Sequence, residues 1–161
     1  MSSSGARIGH GLDAHRLAPG RPLMLGGIHI PYERGLLGHS DGDVVAHALC
    51  EAILGAAGLG SLGRHFPKEQ RWSDAAGREL LSEVAGMIGE RDIRLASAQV
   101  VAIAQEPRLA DHFEAMQRAM AAALRVAESS IAVTATTMDG MGFTGRGEGI
   151  AASAVVLLVD A

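Results

Sequence analysis

Residues 151–159, near the end of the chain, form an almost continuously apolar stretch. A strand with one wet face alternates apolar and polar residues, so a continuous apolar run is typical of a strand that is buried on both faces. Helices of the same chain can cover one face of such a sheet. We therefore expect a partner subunit to cover the other face.

The remaining apolar patterns predict strands that alternate with three helices. Packing these elements together gives an α+β fold, with a mixed four-stranded sheet and helices on one of its faces. Loops are expected at residues 35–42, 59–74 and 139–149. The predicted strands cover residues 7–12, 23–30 (a strand or a hairpin interrupted by glycines), 94–105, 131–136 and 151–159, and the predicted helices cover residues 43–58, 75–89 and 109–126.

Length and composition narrow the classes of function. A chain of 161 residues fits one domain, and we expect a disordered leader at residues 1–6 and a single domain at residues 7–161. Aromatic residues are 3% of the chain and the net charge is −4, so neither base stacking nor charge favours nucleic acid as a partner. The sequence has no signal-peptide pattern and no apolar stretch of bilayer length, so we expect a cytoplasmic protein that does not bind membranes.

Asp13 and His15 lie two positions apart near the start of the chain. In an extended strand this spacing puts both side chains on one face, and a helix that begins near residue 40 would bring in His47. Two imidazoles and one carboxylate suit Zn²⁺, and three protein ligands leave a fourth position open, as in catalytic sites. Taken alone, the Asp-x-His pair is more often a pair of surface polar residues.

Asp43, His47 and Glu51 lie on one stripe of the same predicted helix. The stripe is either a solvated helix face or a metal ligand flanked by carboxylates that orient its ring. The sequence alone leaves both interpretations open.

Three further segments suit phosphate. His39 and Ser40 come just before the predicted helix, where free N–H groups attract anions, although Ser40 or Asp41 can equally be a simple N-cap. The segment 136–139 places two threonine hydroxyls and a carboxylate at the end of a strand, which suits phosphate and a hard cation. Arg146 and Glu148 lie in a glycine-rich loop, where they can also form only a surface ion pair.

The order of these motifs along the chain is specific. They are RIGHG at 7–11 with DAH at 13–15, IPYE at 30–33, GHSDGD at 38–43, HAL at 47–49, AQEP at 104–107, ATT at 135–137 and GFTGRGEG at 142–149. In these segments the chain closely resembles the 2-C-methyl-D-erythritol 2,4-cyclodiphosphate synthase family of non-mevalonate isoprenoid biosynthesis, from residue 7 to the C-terminus.

The resemblance implies roles for individual residues. The family's zinc ligands correspond to Asp13, His15 and His47. Its transition-state-stabilising pair corresponds to His39 and Thr137. The carboxylate that binds its second metal, Mg²⁺ or Mn²⁺, corresponds to Asp139. The cytidine pocket maps to residues 104–110. The implied substrate-binding residues are Ser40, Ser61, Leu62, Gly63, Phe66, Ala104, Pro107, Arg108, Leu109, Ala110, Thr136, Phe143 and Arg146.

The resemblance also implies a reaction and an assembly. The 2-phosphate of 4-diphosphocytidyl-2-C-methyl-D-erythritol 2-phosphate would attack the β-phosphate of the same molecule, so that a cyclic diphosphate forms and CMP leaves. Members of the family are homotrimers with active sites between subunits, so the outer sheet face is expected at a trimer interface. An isoprenoid diphosphate is a possible ligand of the axial cavity, with Arg146 as its anchor.

One loop departs from the family pattern. Ser61, Lys68 and Gln70 stand where members usually have acidic residues, and Met138 replaces a usual Thr. We expect weaker contacts to the sugar-alcohol hydroxyls of the substrate.

Two rival functions follow from the same residues. A non-catalytic trimer that binds an isoprenoid diphosphate or a nucleotide would bind without turnover. A zinc hydrolase would need a general base beside the metal-bound water, with Glu51 or Asp43 as candidates, and would form a linear, water-derived product.

Overall fold

The computed structural model describes residues 5–161, so most of the expected leader, residues 1–4, lies outside the described residues. Gly5, by contrast, donates its N–H to the Asp160 carboxylate at 2.8 Å. The strands are β1 (Arg7–Pro19), β2 (Leu23–Leu25), β3 (Ile28–Ile30), β4 (Arg34–Leu36), β5 (Ile93–Ile103), β6 (Ile131–Thr136) and β7 (Gly149–Asp160). The α-helices are α1 (Val44–Ala56), α2 (Leu62–His65), α3 (Gly77–Gly89), α4 (Phe113–Leu124) and α5 (Gly142–Gly145).

The main sheet of the described part has five strands in the order β4-β1-β7-β5-β6. The apolar β7 lies at its centre and runs antiparallel to β1 and to β5, whereas β5 and β6 are parallel. The α+β class is as predicted, but the sheet has five strands rather than four. Residues 34–36, part of which was expected as loop, pair with residues 17–19 because β1 extends far beyond its predicted end.

Helix α1 packs directly on the sheet because glycines face it. A Cβ added at Gly9 or Gly11 would collide with the backbone carbonyl oxygens of Ala52 and Ala48, respectively. The opposite face of the sheet is exposed in the single chain: the exposed fractions of Ile8, Leu12 and Val155 are 77%, 64% and 46%. The apolar character of that face is what the sequence pattern predicted.

The largest local differences from the sequence predictions lie at helix starts and in loops. The N-cap of α1 is Asp43, neither Ser40 nor Asp41. The expected loops at 59–74 and 139–149 contain the short helices α2 and α5, and the third long helix begins after a 3₁₀ turn at Ala110–His112. The stretch 23–30 is a hairpin, β2–β3, that turns through Gly26 and Gly27 at positive φ.

Among residues 5–161, none of the helices has the combined length and apolar character that crossing a membrane requires.

Candidate functional site

Three potential metal ligands meet between β1 and α1. The Asp13 carboxylate lies 2.8 Å from His15 Nε2 and 3.0 Å from His47 Nδ1. The two ring nitrogens are 3.3 Å apart, and all three ligand atoms lie within 4.8 Å of one another. Because β1 is extended at Asp13 and His15, both side chains emerge on one face. His47 reaches them from the second turn of the helix above.

The outer nitrogens of both rings have partners that fix their orientation. His15 Nδ1 lies 2.6 Å from the Leu37 carbonyl oxygen, to which it donates. This bond places a proton on Nδ1, so Nε2 is the nitrogen that faces Asp13 and that can act as a metal ligand once its own proton has left. His47 Nε2 is bonded to the Ser40 hydroxyl at 2.9 Å, so its Nδ1 can act as a ligand. This arrangement of donor atoms fits a divalent cation that takes nitrogen and oxygen ligands.

The electrostatics of the triad also favour a cation. Burial raises the pKa of Asp13, but hydrogen bonds and charges of His15 and His47 outweigh that effect and lower the pKa to about 2. The hydrogen bond to Asp13 raises the pKa of His15 above its ordinary value, although burial opposes the change. The carboxylate is therefore ionised at neutral pH and supplies a negative charge to the centre of the cluster.

The two carboxylates that flank His47 on α1 are occupied elsewhere. Buried Asp43 accepts from the backbone N–H groups of Ala46, Gly26 and Gly27 at 3.0, 2.8 and 2.7 Å. Glu51 accepts from the Leu62 N–H at 3.0 Å. Among the described residues, neither carboxylate is hydrogen-bonded to the His47 ring. Ser40, and neither of these carboxylates, makes the contact that orients the ring, while Asp43 ties the β2–β3 turn to the start of α1.

Asp41 supports the same end of the helix. Its carboxylate accepts from the N–H groups of Asp43 and Gly77 at 3.0 and 2.9 Å, which joins the starts of α1 and α3. Burial, followed by the nearby Asp43 charge, raises the pKa of Asp41. The GHSDGD segment thus provides structural carboxylates at 41 and 43, and its other polar side chains face the cavity described next.

A cavity of about 360 Å³ opens beside the triad. His39 lines it and holds the segment 61–72, because its Nε2 is bonded to the Glu69 carbonyl oxygen at 2.9 Å. Phe66 and Trp72 form one wall, with their rings edge to face and their centroids 4.8 Å apart. The lining residues are His15, His39, Ser40, His47, Leu62, Gly63, Phe66, Pro67, Lys68, Trp72 and Leu80. Ser61, which precedes α2, is exposed and is not among them.

A second cavity, of about 630 Å³, lies where the parallel strands β5 and β6 end. The carboxyl ends of parallel strands are a common place for ligands in α/β sheets. All of residues 104–110, which were expected to form the cytidine pocket, come together here with Thr136 and Thr137. The lining residues are Tyr32, Ala104, Gln105, Glu106, Pro107, Arg108, Leu109, Ala110, Phe113, Ala135, Thr136 and Thr137.

Within one chain, His39 and Thr137 line different cavities. The Thr137 hydroxyl lies 3.3 Å from the Asp139 carboxylate, and Asp139 has a positive φ of 51°. Asp139 is exposed and is not a member of the Asp13–His15–His47 cluster. The single chain thus does not place these two expected catalytic residues in one cavity.

The glycine-rich loop holds an ion pair on the surface. Arg146 Nε lies 2.9 Å from the Glu148 carboxylate, and both side chains are largely exposed. Phe143 borders a further cavity of about 340 Å³, lined also by Ile103, Met138 and Met141. An exposed ion pair contributes little to stability, so exchanging Glu148 for another anionic partner of Arg146 would cost little.

Sequence reasoning did not place Tyr32 or Trp72 at the cavities. The chain has one tyrosine and one tryptophan, and each lines one of the two cavities. In a chain with so few aromatic residues, the single Tyr and the single Trp were signals that deserved a functional hypothesis.

The sequence was also compared with known protein families and with individual proteins. The pattern of the YgbB family matches residues 6–159. A 2-C-methyl-D-erythritol 2,4-cyclodiphosphate synthase of Moorella thermoacetica is 56% identical over 155 residues, which cover 96% of this chain and 95% of that protein.

Solved structures agree as well. The structure of a 2C-methyl-D-erythritol-2,4-cyclodiphosphate synthase with bound CDP superposes with a TM-score of 0.86 at 38% identity, over 94% of this chain and 99% of that one. The bifunctional IspDF of Campylobacter jejuni gives a TM-score of 0.94 at 40% identity, and the match covers 99% of this chain and 43% of that longer one.

Proposed function

The chain belongs to the YgbB family, and from that membership we propose that it forms 2-C-methyl-D-erythritol 2,4-cyclodiphosphate by intramolecular phosphoryl transfer. The 2-phosphate of 4-diphosphocytidyl-2-C-methyl-D-erythritol 2-phosphate attacks the β-phosphorus, the bond to the bridging oxygen breaks, and CMP leaves with that oxygen. The attacking phosphate is already an anion at neutral pH, so the residues need to position charge rather than abstract a proton.

The observation that carries this proposal is the triad beside an open cavity. Asp13, His15 and His47 present three ligand atoms within 4.8 Å of one another, and the two histidines also line the cavity. We assign this site to Zn²⁺, which when bound would neutralise and orient the β-phosphate. His15 and His47 hold their ligand nitrogens in place through the Leu37 carbonyl and the Ser40 hydroxyl.

The second cavity suits the CMP part of the substrate. Backbone groups of residues 104–110 can recognise a base, and Arg108 adds a positive charge beside them. Thr137 can donate its hydroxyl to the transferring phosphate, and Asp139 would hold a hard cation, Mg²⁺ or Mn²⁺. His39 approaches the phosphate from the other cavity, so we propose His39 and Thr137 as the pair that stabilises the transition state.

The working unit in this proposal is a homotrimer. The exposed apolar residues Ile8, Leu12 and Val155 lie on the sheet face away from α1, and covering them removes apolar surface from water. In the homotrimer that we propose, the second cavity of one chain lies beside the triad of its neighbour. Arg146 would then anchor an isoprenoid diphosphate near the three-fold axis.

One product assay tests the activity. Purified enzyme with Zn²⁺ and Mg²⁺ is incubated with the diphosphocytidyl substrate, and the products are separated and identified by mass and ³¹P resonance. We expect CMP and the cyclic diphosphate in equal amounts. A linear, water-derived product would identify a hydrolase instead, and binding without turnover would identify a non-catalytic binding protein.

A further inference from the structure

Tyr32 lies at the second cavity but comes from a distant part of the chain. It follows β3, whereas the other lining residues belong to segments 104–113 and 135–137. The side chain is half-buried: it packs partly against the core and partly lines the cavity. Its ring therefore provides a wall that the β5 and β6 ends do not supply themselves.

Arg34 holds this phenol in one orientation. Its Nη2 donates to the Tyr32 hydroxyl oxygen at 3.1 Å, and its guanidinium carbon lies 5.7 Å from the centre of the ring. The other terminal nitrogen donates to the Gly147 carbonyl oxygen at 2.9 Å. Arg34 thus ties the wall of the cavity to the glycine-rich loop.

The direction of this hydrogen bond leaves a donor available. Arginine has no acceptor, so in the contact with Arg34 the phenol oxygen must accept. Among the hydrogen bonds of residues 5–161, the Tyr32 O–H donates to no protein group. The phenol proton is therefore available to an acceptor atom of a molecule in the cavity.

We propose that Tyr32 contacts the nucleoside part of the nucleotide in this cavity, and that Arg34 is the positioning residue for Tyr32. A neutral aromatic ring suits packing against a base or sugar, and its O–H suits one of their acceptor oxygens. The cation of Arg108 remains for phosphate. This inference rests on the proposed function, since that function supplies the nucleotide, CMP.

The single tyrosine makes a direct test possible. Uniform labelling with 3-fluorotyrosine gives one ¹⁹F resonance, that of Tyr32. In a CMP titration of the full-length enzyme we expect this resonance to shift and to saturate with the Kd measured by calorimetry. A resonance that does not move at saturating CMP overturns the proposal, and this result needs no variant to fold.

Variants test the contact and the positioning role separately. Tyr32→Phe should raise the Kd for CMP by about three- to tenfold, the scale of one hydrogen bond, with zinc content unchanged. Arg34→Met should weaken CMP binding similarly in the parent chain but add little in the Tyr32→Phe background, since the two act through one contact. A purely structural role of Arg34 would weaken binding equally in both backgrounds, and that result would overturn the positioning role.

Arg118→Met is the matched control, because Arg118 lies outside both cavity linings in an exposed ion pair with Glu128 at 3.8 Å. It should leave the Kd for CMP unchanged.

The product assay and the fluorine titration together separate this inference from the proposed function. Turnover with a motionless Tyr32 resonance rejects only the inference, whereas CMP-dependent shifts in an enzyme that forms no cyclic product reject only the proposed reaction.

Discussion

The Asp13–His15–His47 triad and the segment 61–72 border the same cavity, but they are held in different ways. Asp13 and His15 belong to a strand that pairs with β7 residue by residue, and His47 lies on a helix whose neighbouring residues are almost all buried. The segment 61–72 contains only α2 and a 3₁₀ turn at Gln70–Trp72, and neither has a buried residue.

This difference means that the metal site depends on the core of the fold, whereas the substrate contacts of the segment 61–72 depend on it much less. To move a triad residue, the sheet or α1 must move, and both are part of the core. The exposed residues of the segment 61–72 can change without changing the core, so substrate contacts there can vary while the metal site stays the same. Five substitutions, each with a control, test this contrast.

The largest effect is expected for His47→Ala. Removal of one of three ligands should reduce bound zinc from about one per chain to near zero. Turnover should fall on the order of 10³-fold, since the metal contributes several kcal/mol of charge stabilisation. Elemental analysis and initial rates measure both quantities. His29→Ala is the control, because His29 is exposed on β3; undiminished zinc in His47→Ala would contradict the assignment.

Gly11→Ala should disturb the close packing of β1 on α1, the two elements that carry the triad. The new Cβ would meet the Ala48 carbonyl oxygen of α1, so strand and helix must separate. We expect the free energy of unfolding to fall by about 1–3 kcal/mol, as for other overpacked sites, and zinc affinity to fall with it. Urea unfolding and zinc titration measure the two effects.

Gly55→Ala is the matched control on the same helix. An added Cβ there meets nothing within 4 Å, and alanine should stabilise the helix by about 0.5–1 kcal/mol. If Gly11→Ala behaves like Gly55→Ala, close packing of β1 on α1 does not determine the metal site.

The same contrast explains what could be predicted from the sequence. Helix α1 was predicted because its own apolar residues repeat at helical spacing, and β7 because its own run is apolar. The predicted start at residue 43 was right within one residue, but the suggested N-caps Ser40 and Asp41 were wrong, since Asp43 accepts from the Ala46 N–H. The sequence could not reveal that Asp43 also binds Gly26 and Gly27, because they are distant along the chain. Strand β4 was missed because it is three residues long and depends on pairing with the end of β1.

The site follows the same logic. The Asp-x-His spacing is local and indicates a shared face of a strand, so these ligands could be proposed from sequence. The acceptor for His15 is the Leu37 backbone carbonyl, which any residue type would provide and no motif reveals. Tyr32 reaches the second cavity only through the fold, and the resemblance to the family carried most of the remaining assignments there.

A smaller effect is expected at the pair proposed to stabilise the transition state. His39→Ala and Thr137→Val should each lower kcat about tenfold or more and change KM by less than about twofold, since contacts made in the transition state act on kcat. Thr134→Val is the control, because the exposed Thr134 hydroxyl only accepts from Gln99 at 3.5 Å. A rise in KM with unchanged kcat would indicate ground-state binding instead.

The smallest effect concerns Ser61 in the variable segment. Restoring the carboxylate with Ser61→Asp should lower the substrate KM by a few-fold up to about tenfold, the scale of one hydrogen bond to a hydroxyl, and leave CMP affinity unchanged. The alternative is that backbone N–H groups of Leu62 and Gly63 make the essential contacts. The Leu62 N–H is already bonded to Glu51 at 3.0 Å, so this alternative rests on Gly63.

Ser73→Asp provides the control for charge, since Ser73 follows the same segment, is exposed and does not line the cavity. It adds the same negative charge near the substrate without the proposed contact. A lower KM in Ser61→Asp alone would show that a side-chain contact had been lost from the segment while the triad stayed intact. An equal KM in both variants and the parent would mean that the backbone of this segment, and not its side chains, makes the contacts that the substrate requires.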